Sequence, residues 1–262
     1  MTRIALLQAQ AEPLKIWSNL DTVEGAARQA ADAGAQLLLT PELFITGYAP
    51  ARILAELPAE AVHEAEQQLA RIAAEHRISL VHSLPGPGPA QDRGITAVLV
   101  DQHGRTLARY AKVQLFGSEE RSAFIAGEER PPVVEHLGRR IGLLICYDVE
   151  FPEMVRAAVA QQADLLLVPT ALAGDPGVTE VLLPARARES QLSLAYANHC
   201  GQEEGLRFDG GSVVLDQEGK PLTRAGEGPE LLVVDVPEAV EPGPDGPWYR
   251  RDRRAGLHRR WL

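Results

Sequence analysis

A thiol, a carboxylate and an amine each follow a predicted strand in this chain of 262 residues: Cys146, Glu42 and Lys112. A cysteine thiol is mostly protonated at neutral pH, so a nucleophilic cysteine needs a neighbouring base or cation to raise its thiolate fraction. Taken singly, each residue has a simpler explanation, because free cysteines are often small buried hydrophobic residues and lysines beyond a strand are usually solvated. Together, the three are candidates for nucleophilic catalysis.

The segment around Cys146 predicts a strand followed by a turn into a helix. The apolar run at 141–145 is typical of a buried strand, and Pro152 with the residues after it is typical of the first turn of a helix. Ligands of α/β sheets bind at the carboxyl ends of strands, where backbone N–H groups of a helix start can stabilise an anion. Cys146 is therefore predicted to lie where a substrate would bind.

The other two candidates also follow strands. Residues 36–40 form an apolar strand that runs directly into Pro41 and Glu42. Lys112 follows a predicted hairpin that has strands at 95–100 and 105–110 and a turn at 101–104. Glu42 is thus predicted to emerge at a strand end in the same way as Cys146.

Alternation of strands and helices, with hairpins among them, predicts an α/β fold with mixed sheets. Segments 35–42 and 163–170 look alike, and each follows a predicted helix, which suggests two similar β–α halves. Further strands are predicted at 3–8, 78–84, 194–200, 211–215 and 230–236. Helices are predicted from 18 to 34, at 58–76, from 152 onwards, and at 178–193 with an interruption at Pro184.

Composition and charge limit the organisation and the partners. The chain is 45% hydrophobic, and α/β proteins of this length often form a single domain. We expect one domain at 1–240 and a C-terminal tail at 241–262 that packs on the domain or on a partner subunit. The net charge of −10 argues against nucleic-acid and anionic-membrane partners. The tail nevertheless carries a basic run made of Arg250, Arg251, Arg253, Arg254, Arg259 and Arg260.

The cysteine usage and the N-terminus favour a cytoplasmic location. Two cysteines cannot form a disulfide framework, and no Cys-x-x-Cys occurs, which fits a reducing compartment. Gln8 interrupts the N-terminal apolar run, so this run predicts a strand and not a signal peptide. No apolar run is long enough to cross a bilayer.

Three motifs around the candidate residues resemble those of the nitrilase superfamily of carbon–nitrogen hydrolases. They read Pro-Glu-Leu-Phe-x-x-Gly-Tyr around Glu42, Tyr-x-Lys-x-x-Leu-Phe-Gly around Lys112, and Gly-Leu-Leu-Ile-Cys-Tyr-Asp-Val-Glu-Phe-Pro-Glu around Cys146. The chain is most similar to the branch of aliphatic amidases such as 5-aminopentanamidase and the R-stereoselective amidases. The resemblance extends from the first strand to the tail. It implies a four-layer αββα sandwich with two mixed β-sheets, in which the three residues converge in one pocket.

The resemblance also implies a reaction, the hydrolysis of a small linear amide to a carboxylate and ammonia. Cys146 would form a thioester and Glu42 would move the proton, while Lys112 and the backbone N–H of Tyr147 would stabilise the oxyanion. No metal or cofactor is implied. Homodimers are common among relatives, so we expect a homodimer or a higher homo-oligomer here.

Further residues are assigned by the same resemblance. Glu120 would orient the lysine, and its neighbour Glu119 is the alternative. The carboxylates that follow Cys146, including Asp148, are explained by a favourable helix dipole, although Glu150 could meet a substrate ammonium. The implied substrate-binding residues are Tyr48, Phe116, Glu150, Thr170 and Ala171.

Other functions remain open at this point. N-carbamoyl amine hydrolysis and omega-amidase activity use the same three residues. Nitrile hydrolysis is disfavoured because Tyr147 stands where true nitrilases usually carry a tryptophan. A Cys–His hydrolase is disfavoured because His199 precedes Cys200 in a predicted strand, where neighbours point to opposite faces. No Gly-x-Ser-x-Gly occurs, and the seven histidines are too scattered for a metal hydrolase. The non-enzyme alternative is a catalytically silent binding homologue.

Overall fold

Two mixed β-sheets of six strands each face one another in the computed structural model, which describes residues 1–241, 243, 245–258 and 260. Arg259, part of the predicted basic run, lies outside the described residues. The strands are β1 (Thr2–Gln8), β2 (Leu37–Leu39), β3 (Ser79–Pro85), β4 (Ile95–Val100), β5 (Thr106–Ala111), β6 (Val133–His136), β7 (Arg139–Leu143), β8 (Leu165–Pro169), β9 (Ser193–Ala197), β10 (Cys200–Glu203), β11 (Leu206–Asp209), β12 (Val213–Leu215), β13 (Pro221–Arg224) and β14 (Glu230–Val236).

The two six-stranded sheets have the same arrangement of parallel and antiparallel strands. The first has the order β14-β1-β2-β3-β4-β5 and the second the order β13-β12-β9-β8-β7-β6. In each, three central strands are parallel and the outer pairings are antiparallel. Strands β2 and β8 are the middle strands of these parallel triplets. Their carboxyl ends therefore occupy matching places in the two sheets.

Helices cover the outer face of each sheet. The helices are α1 (Ile16–Asp32), α2 (Pro50–Glu56), α3 (Ala59–His76), α4 (Gly117–Ala123), α5 (Pro152–Val159), α6 (Leu183–Ser190), α7 (Tyr249–Asp252) and α8 (Ala255–His258). Helices α1 and α3 connect the parallel strands of the first sheet, and α5 and α6 those of the second. The apolar stripe of α3 is buried against its sheet, as the helical period of its hydrophobic residues requires.

The central strands are apolar on both faces because both faces are covered. On β2, Leu37 and Leu39 belong to the core between the two sheets, whereas Leu38 packs with the helices α1 and α3. All three side chains are fully buried. Burial of one leucine side chain is worth about 1.5 to 3 kcal/mol, so the continuous leucine run fixes this strand between two layers. The predicted four-layer αββα sandwich is confirmed.

Several elements differ from the sequence-based expectation. Strand β6 and the hairpin β10–β11 were not predicted; both are short and carry exposed polar residues, so they lack the apolar run that marks central strands. The strand β13 and the helices α2 and α4 were also not predicted. The predicted strand at 194–200 ends at Ala197.

The predicted helix at 178–193 consists of two parts. A π-helical turn, Val178–Leu182, precedes α6, and Pro184 lies in the first turn of α6. Pro184 lacks the N–H that would donate to the preceding helical turn, which agrees with the change from π-helical to α-helical hydrogen bonding at this point.

The C-terminal tail contacts the domain beside α6. Gln191 Nε2 donates a hydrogen bond to the carbonyl oxygen of Pro247 at 3.0 Å, and the Arg250 N–H donates to Gln191 Oε1 at 3.4 Å. The division into a domain at 1–240 and a tail at 241–262 stays a prediction. None of the described helices combines the length and the apolar character needed to cross a membrane.

Candidate active site

Glu42 follows β2 and points into the interior between the sheets. Its side chain is fully buried, and its backbone N–H donates a hydrogen bond to the Thr170 carbonyl oxygen at 3.2 Å. That bond joins the ends of the two matching strands, β2 and β8. Its carboxylate oxygen Oε2 is buried and has no hydrogen-bond partner within the described part of the chain. One acceptor position of Glu42 is therefore available to a further proton or ligand.

Lys112 follows β5 and is fully buried between two carboxylates. Its Nζ donates to Glu42 Oε1 at 2.7 Å and to the two oxygens of Glu120 at 2.8 and 2.9 Å. The lysine backbone is fixed as well, because its N–H donates to the Ile95 carbonyl oxygen at 2.8 Å and its own carbonyl oxygen accepts from the Gly127 N–H at 2.7 Å. A buried cation needs such pairing, since an isolated charge away from water is very costly.

Cys146 lies on a sharp turn at the end of the β7 segment. Its φ of 46° is in the left-handed region, which residues other than glycine rarely adopt. A 3₁₀ turn, Cys146–Glu150, begins there and leads into α5. The side chain is largely buried, and the residue is 7% exposed. Backbone strain of this kind clusters at functional sites, where it orients a side chain that regular structure would point elsewhere.

Burial and charge set the protonation of these groups. Burial, and then the negative charge of Glu120, raises the pKa of Glu42 to about 7, although Lys112 acts in the opposite direction. Burial and the nearby Glu42 carboxylate raise the pKa of the Cys146 thiol. Burial alone would lower the pKa of Lys112, but the neighbouring carboxylates outweigh burial and raise it. At neutral pH the site therefore combines a protonated thiol, a carboxylate near its pKa and a permanent cation.

The structure places Glu120, and not Glu119, beside Lys112. Glu120 is 1% exposed and pairs with Lys112, and its carboxylate also accepts hydrogen bonds from the Tyr48 hydroxyl at 2.7 Å and from the Phe116 N–H at 2.7 Å. Glu119 is exposed. The helix α4, which places Glu120 one turn from its start, brings only the second glutamate to the lysine.

Asp148 makes contacts beyond the helix start at which it was expected. The helix dipole was the predicted reason for its position, but Asp148 is fully buried and accepts three hydrogen bonds. Its donors are the Tyr110 hydroxyl at 2.9 Å, the Gln114 N–H at 2.8 Å and the Ile145 N–H at 3.2 Å. Burial raises the pKa of Asp148 to about 6. The carboxylate connects the strand end that carries Lys112 to the turn that carries Cys146.

The predicted substrate-binding residues fall into two groups. Tyr48 and Thr170 are buried beside the charged residues, and Thr170 is close enough to Cys146 to influence the pKa of its thiol. Phe116 is 56% exposed and its ring contacts that of Tyr147, with 5.2 Å between the centroids. Glu150 and Ala171 are half-buried. The structure thus places two of the five residues against the reactive groups and three at more open positions.

One group of three potential metal ligands occurs among the described residues. Glu24, Glu75 and His76 lie on α1 and α3, where their ligand atoms are all within 4.8 Å of one another. His76 precedes β3, whereas Glu42 follows the parallel strand β2, so this group lies at the opposite edge of the sheet from the candidate site.

Comparison with known proteins supplies the family. Residues 3–244 match the family model described as carbon-nitrogen hydrolase. The chain belongs to the carbon–nitrogen hydrolase family. A protein of Pseudomonas protegens named "Hydrolase in pqqF 5'region" is 36% identical over 233 residues, which are 88% of this chain and 81% of that protein. A deaminated glutathione amidase of Synechocystis is 32% identical over 248 residues, 88% of this chain and 90% of its own length.

Solved structures of one carbon–nitrogen hydrolase are closely similar to this chain. The NitN amidase of Nesterenkonia sp. AN1 is 57% identical with a TM-score of 0.95, and both chains are covered completely. A glutamate-to-glutamine mutant of that amidase, 56% identical with a TM-score of 0.94 over 100% of this chain and 97% of its own, shows covalent addition of the acetamide moiety of fluoroacetamide at its active-site cysteine. The predicted superfamily resemblance is confirmed.

Sequence reasoning missed three buried residues that surround the site of this carbon–nitrogen hydrolase. Tyr196 on β9 lies with its hydroxyl 2.8 Å from that of Thr170. His199 contacts the Glu42 carbonyl oxygen through Nε2 at 2.6 Å, and its Nδ1 lies 2.7 Å from Glu203. The signal that could have indicated the last pair is the i, i+4 spacing of His199 and Glu203 just after a buried strand, whereas sequence reasoning considered His199 only as a partner of Cys200.

Proposed function

We propose that this carbon–nitrogen hydrolase is an amidase that converts small linear amides to carboxylates and ammonia. The observation that carries the proposal is the arrangement of Lys112 Nζ, which is 2.7 Å from Glu42 and 2.8 Å from Glu120 while Cys146 stands on a left-handed turn beside them. The covalent adduct seen on the cysteine of the Nesterenkonia amidase supports the same chemistry.

In the proposed reaction, Glu42 moves every proton. Cys146 Sγ attacks the amide carbonyl carbon while Glu42 takes the thiol proton. The negative oxygen that forms is stabilised by Lys112 Nζ and the Tyr147 backbone N–H. Glu42 then gives its proton to the nitrogen, ammonia leaves, and a thioester remains. Water attacks the thioester with Glu42 as base, the carboxylate is released, and the thiol regains its proton.

The protonation of the site fits these roles. A general base works best when its pKa is close to the working pH, and the pKa of Glu42 is raised to about 7. The thiol is protonated before attack because its pKa is raised, so the base is needed. Glu120 accepts hydrogen bonds from the same ammonium through both of its oxygens, which keeps Lys112 in place while Glu42 changes its charge.

The charges around the site support a substrate that carries no carboxylate. Glu150 is half-buried, and burial together with the nearby Asp175 raises its pKa, while Lys112 and Arg186 act against this rise. With Glu42 and Glu120 also present, the carboxylates outnumber the cations. An anionic omega-amide or N-carbamoyl amino acid would meet this negative field, so we propose neutral or cationic amides as substrates.

The experiment is an ammonia-release assay on a matched panel. Propionamide, butyramide and 5-aminopentanamide are expected to be turned over, and succinamic acid, an N-carbamoyl amino acid and a nitrile to be poor substrates. A chelator should leave the rate unchanged, and Cys146→Ala should abolish it. A folded protein that turns over none of these compounds would instead favour the catalytically silent homologue.

Two further proposals concern the cellular location and the oligomeric state of the enzyme. We propose a cytoplasmic location, supported by the two cysteines, both of which are buried free thiols in the structure. We also propose a homodimer or a higher homo-oligomer, in which the tail at 241–262 packs on the domain or on a partner subunit. Size-exclusion chromatography with light scattering, run on the full chain and on a chain ending at 240, tests both the assembly and the role of the tail.

A further inference from the structure

A second buried ion pair contacts the backbone of Glu42. His199, between β9 and β10, is completely buried, and so is the side chain of Glu203 at the end of β10. His199 Nδ1 is 2.7 Å from Glu203 Oε1, and His199 Nε2 is 2.6 Å from the backbone carbonyl oxygen of Glu42. The imidazole therefore connects a buried carboxylate to the backbone of the proposed general base.

The contacts of this pair define its charge. A carbonyl oxygen can only accept, so His199 Nε2 carries a hydrogen. The Glu203 carboxylate accepts from the Ala11 N–H at 3.1 Å and from the Tyr48 N–H at 2.8 Å, which stabilises its ionised form. His199 Nδ1 then faces an anion and also carries a hydrogen. The pair is an imidazolium with a carboxylate.

The surroundings agree with a positive ring. The rings of Phe44 and Phe208 contact the imidazole, with centroid distances of 5.6 and 5.1 Å, and aromatic faces favour a cation. Burial alone would lower the pKa of His199, but Glu203 outweighs burial and raises it. Burial alone would raise the pKa of Glu203, but His199 and the backbone donors lower it.

The pair holds both ends of the segment that leads from Glu42 to Tyr48. His199 holds the carbonyl of Glu42, and Glu203 holds the N–H of Tyr48, whose hydroxyl donates to Glu120. Between these ends the backbone twice adopts positive φ, at Leu43 with 52° and at Gly47 with 70°. Turns within the segment run from the Thr46 N–H to the Leu43 carbonyl oxygen at 3.1 Å and from the Gly47 N–H to the Phe44 carbonyl oxygen at 3.3 Å. The Glu42 carbonyl and the Tyr48 N–H at its two ends are instead satisfied by the ion pair.

We propose that the His199–Glu203 ion pair is a positioning device that fixes Glu42 against Cys146 and, through Tyr48, fixes Glu120 against Lys112. This inference rests on the proposed amidase function for its kinetic consequences. Neither His199 nor Glu203 touches the substrate in this scheme; both act through Glu42 and Tyr48.

The charge of the pair gives it an effect beyond packing. The titratable groups that face His199 are Glu203 on β10 and Glu42 after β2, and Cys200 faces Glu203. His199 is the member closer to Glu42, so the pair presents a positive charge to the proposed base. A nearby positive charge favours an ionised carboxylate, and its removal must move the titration of Glu42 to higher pH.

The test replaces both charges at once with His199→Gln/Glu203→Gln, a variant that leaves no unpaired buried charge. We expect it to fold, to lose about 100-fold in kcat with KM changed less than about threefold, and to show its acidic limb at higher pH. Glu203→Gln alone is measured as well, in case the pair variant does not fold. Its side-chain amide oxygen can still accept one of the two backbone N–H bonds that Glu203 accepts.

A second measurement does not depend on amide turnover. The rate at which iodoacetamide alkylates Cys146, followed by peptide mass spectrometry as a function of pH, reports how well Glu42 takes the thiol proton. We expect this rate to fall, and its midpoint to move to higher pH, in the pair variant. If the wild-type protein is alkylated normally but releases no ammonia from any amide, the proposed amidase function fails while the positioning role remains measurable.

The matched control is an ion pair between the buried Arg139 and the half-buried Asp164. Arg139 donates to Asp164 at the start of β7 and β8, at the opposite end of these strands from Cys146. Arg139→Gln/Asp164→Asn should lower thermal stability but leave the pH midpoint and the alkylation rate unchanged. The proposal is overturned if the His199–Glu203 variant, or Glu203→Gln alone, folds with wild-type kcat, alkylation rate and pH midpoint. It is also overturned if the control variant changes these three values to the same extent.

Discussion

Strands β2 and β8 occupy the same place in their sheets and end in similar sequences, yet they carry different side chains to the site. After β2 come Thr40, Pro41 and Glu42, and the residue that corresponds to Glu42 after β8 is Thr170, which follows Pro169. The two ends meet at the hydrogen bond from the Glu42 N–H to the Thr170 carbonyl oxygen, 3.2 Å. One end contributes a charge and the other a neutral hydroxyl.

The difference lies in what each side chain needs as a partner. The Thr170 hydroxyl is 2.8 Å from that of Tyr196, which belongs to the adjacent strand β9. The Glu42 carboxylate needs Lys112 from the end of β5, and Lys112 in turn needs Glu120 from α4. A buried hydroxyl is satisfied by its own sheet, whereas a buried charge requires contributions from several elements.

The largest loss of activity is expected when the end of β2 is made as neutral as the end of β8. Glu42→Gln keeps the shape but removes the proton carrier, and we expect kcat to fall by about 10² to 10⁴-fold. The assay is ammonia release at saturating amide. Glu119→Gln, an exposed neighbour of the buried Glu120, is the control and should keep wild-type kcat. Equal activity of Glu42→Gln and wild type would exclude Glu42 as the base.

Removal of the cation that supports the β2 end should have the next largest effect. Lys112→Met deletes the proposed oxyanion donor and leaves two buried carboxylates unpaired. We expect a loss of about 10² to 10³-fold in kcat. The free energy of unfolding should fall by about 3 to 5 kcal/mol. Stopped assays and urea denaturation measure these effects, with the exposed Lys220→Met as control. Retention of wild-type stability would contradict the buried pairing.

The pH dependence should distinguish the two strand ends without any mutation, since only the β2 end titrates. The folded pKa of Glu42 is raised to about 7 by burial, and the ionised form is the proposed base. Activity should therefore be present above about pH 7 and fall tenfold per unit below it, to about 100-fold at pH 5. A profile of kcat/KM from pH 5 to 8 tests this. A flat profile across that range would show that another group takes the proton.

The mildest change concerns the β8 end. Thr170→Val keeps the volume but removes the hydroxyl beside Tyr196. We expect a stability loss of about 1 to 3 kcal/mol, because a buried hydroxyl is left without its partner, and a decrease in kcat below about tenfold. Thermal unfolding and ammonia release measure both. A loss in kcat as large as that of Glu42→Gln would mean that the two strand ends share the chemistry.

Sequence reasoning predicted the parts of the fold that carry strong local patterns. The leucine runs before Pro41 and Pro169 and the stripe of α3 gave the central strands and a covering helix, because complete burial leaves an apolar signature. The similarity of the segments at 35–42 and 163–170 agrees with the matching positions of β2 and β8. The edge elements β6, β10 and β11 were missed because exposed polar strands lack that signature.

At the site, sequence reasoning found the residues whose types suggest chemistry. It missed the residues that hold them in place through hydrogen bonds. Glu42, Lys112 and Cys146 were found from their types and strand-end positions, and the first two form a direct ion pair. The hydrogen bonds of Asp148 and His199 reach backbone atoms far away in the sequence. Long-range contacts of this kind leave no periodic or local pattern, so they require the folded chain.

The hydrogen bond between the Glu42 N–H and the Thr170 carbonyl oxygen also bears on the order of events during folding. The reactive groups come from both sheets and are separated by long stretches of chain, so neither sheet alone can assemble them. Helices and hairpins form quickly, whereas contacts between distant segments form late. During refolding from denaturant, catalytic competence should therefore appear only when the two sheets dock. Recovery of ammonia release would then report the final step of folding, after the far-ultraviolet circular dichroism signal has returned.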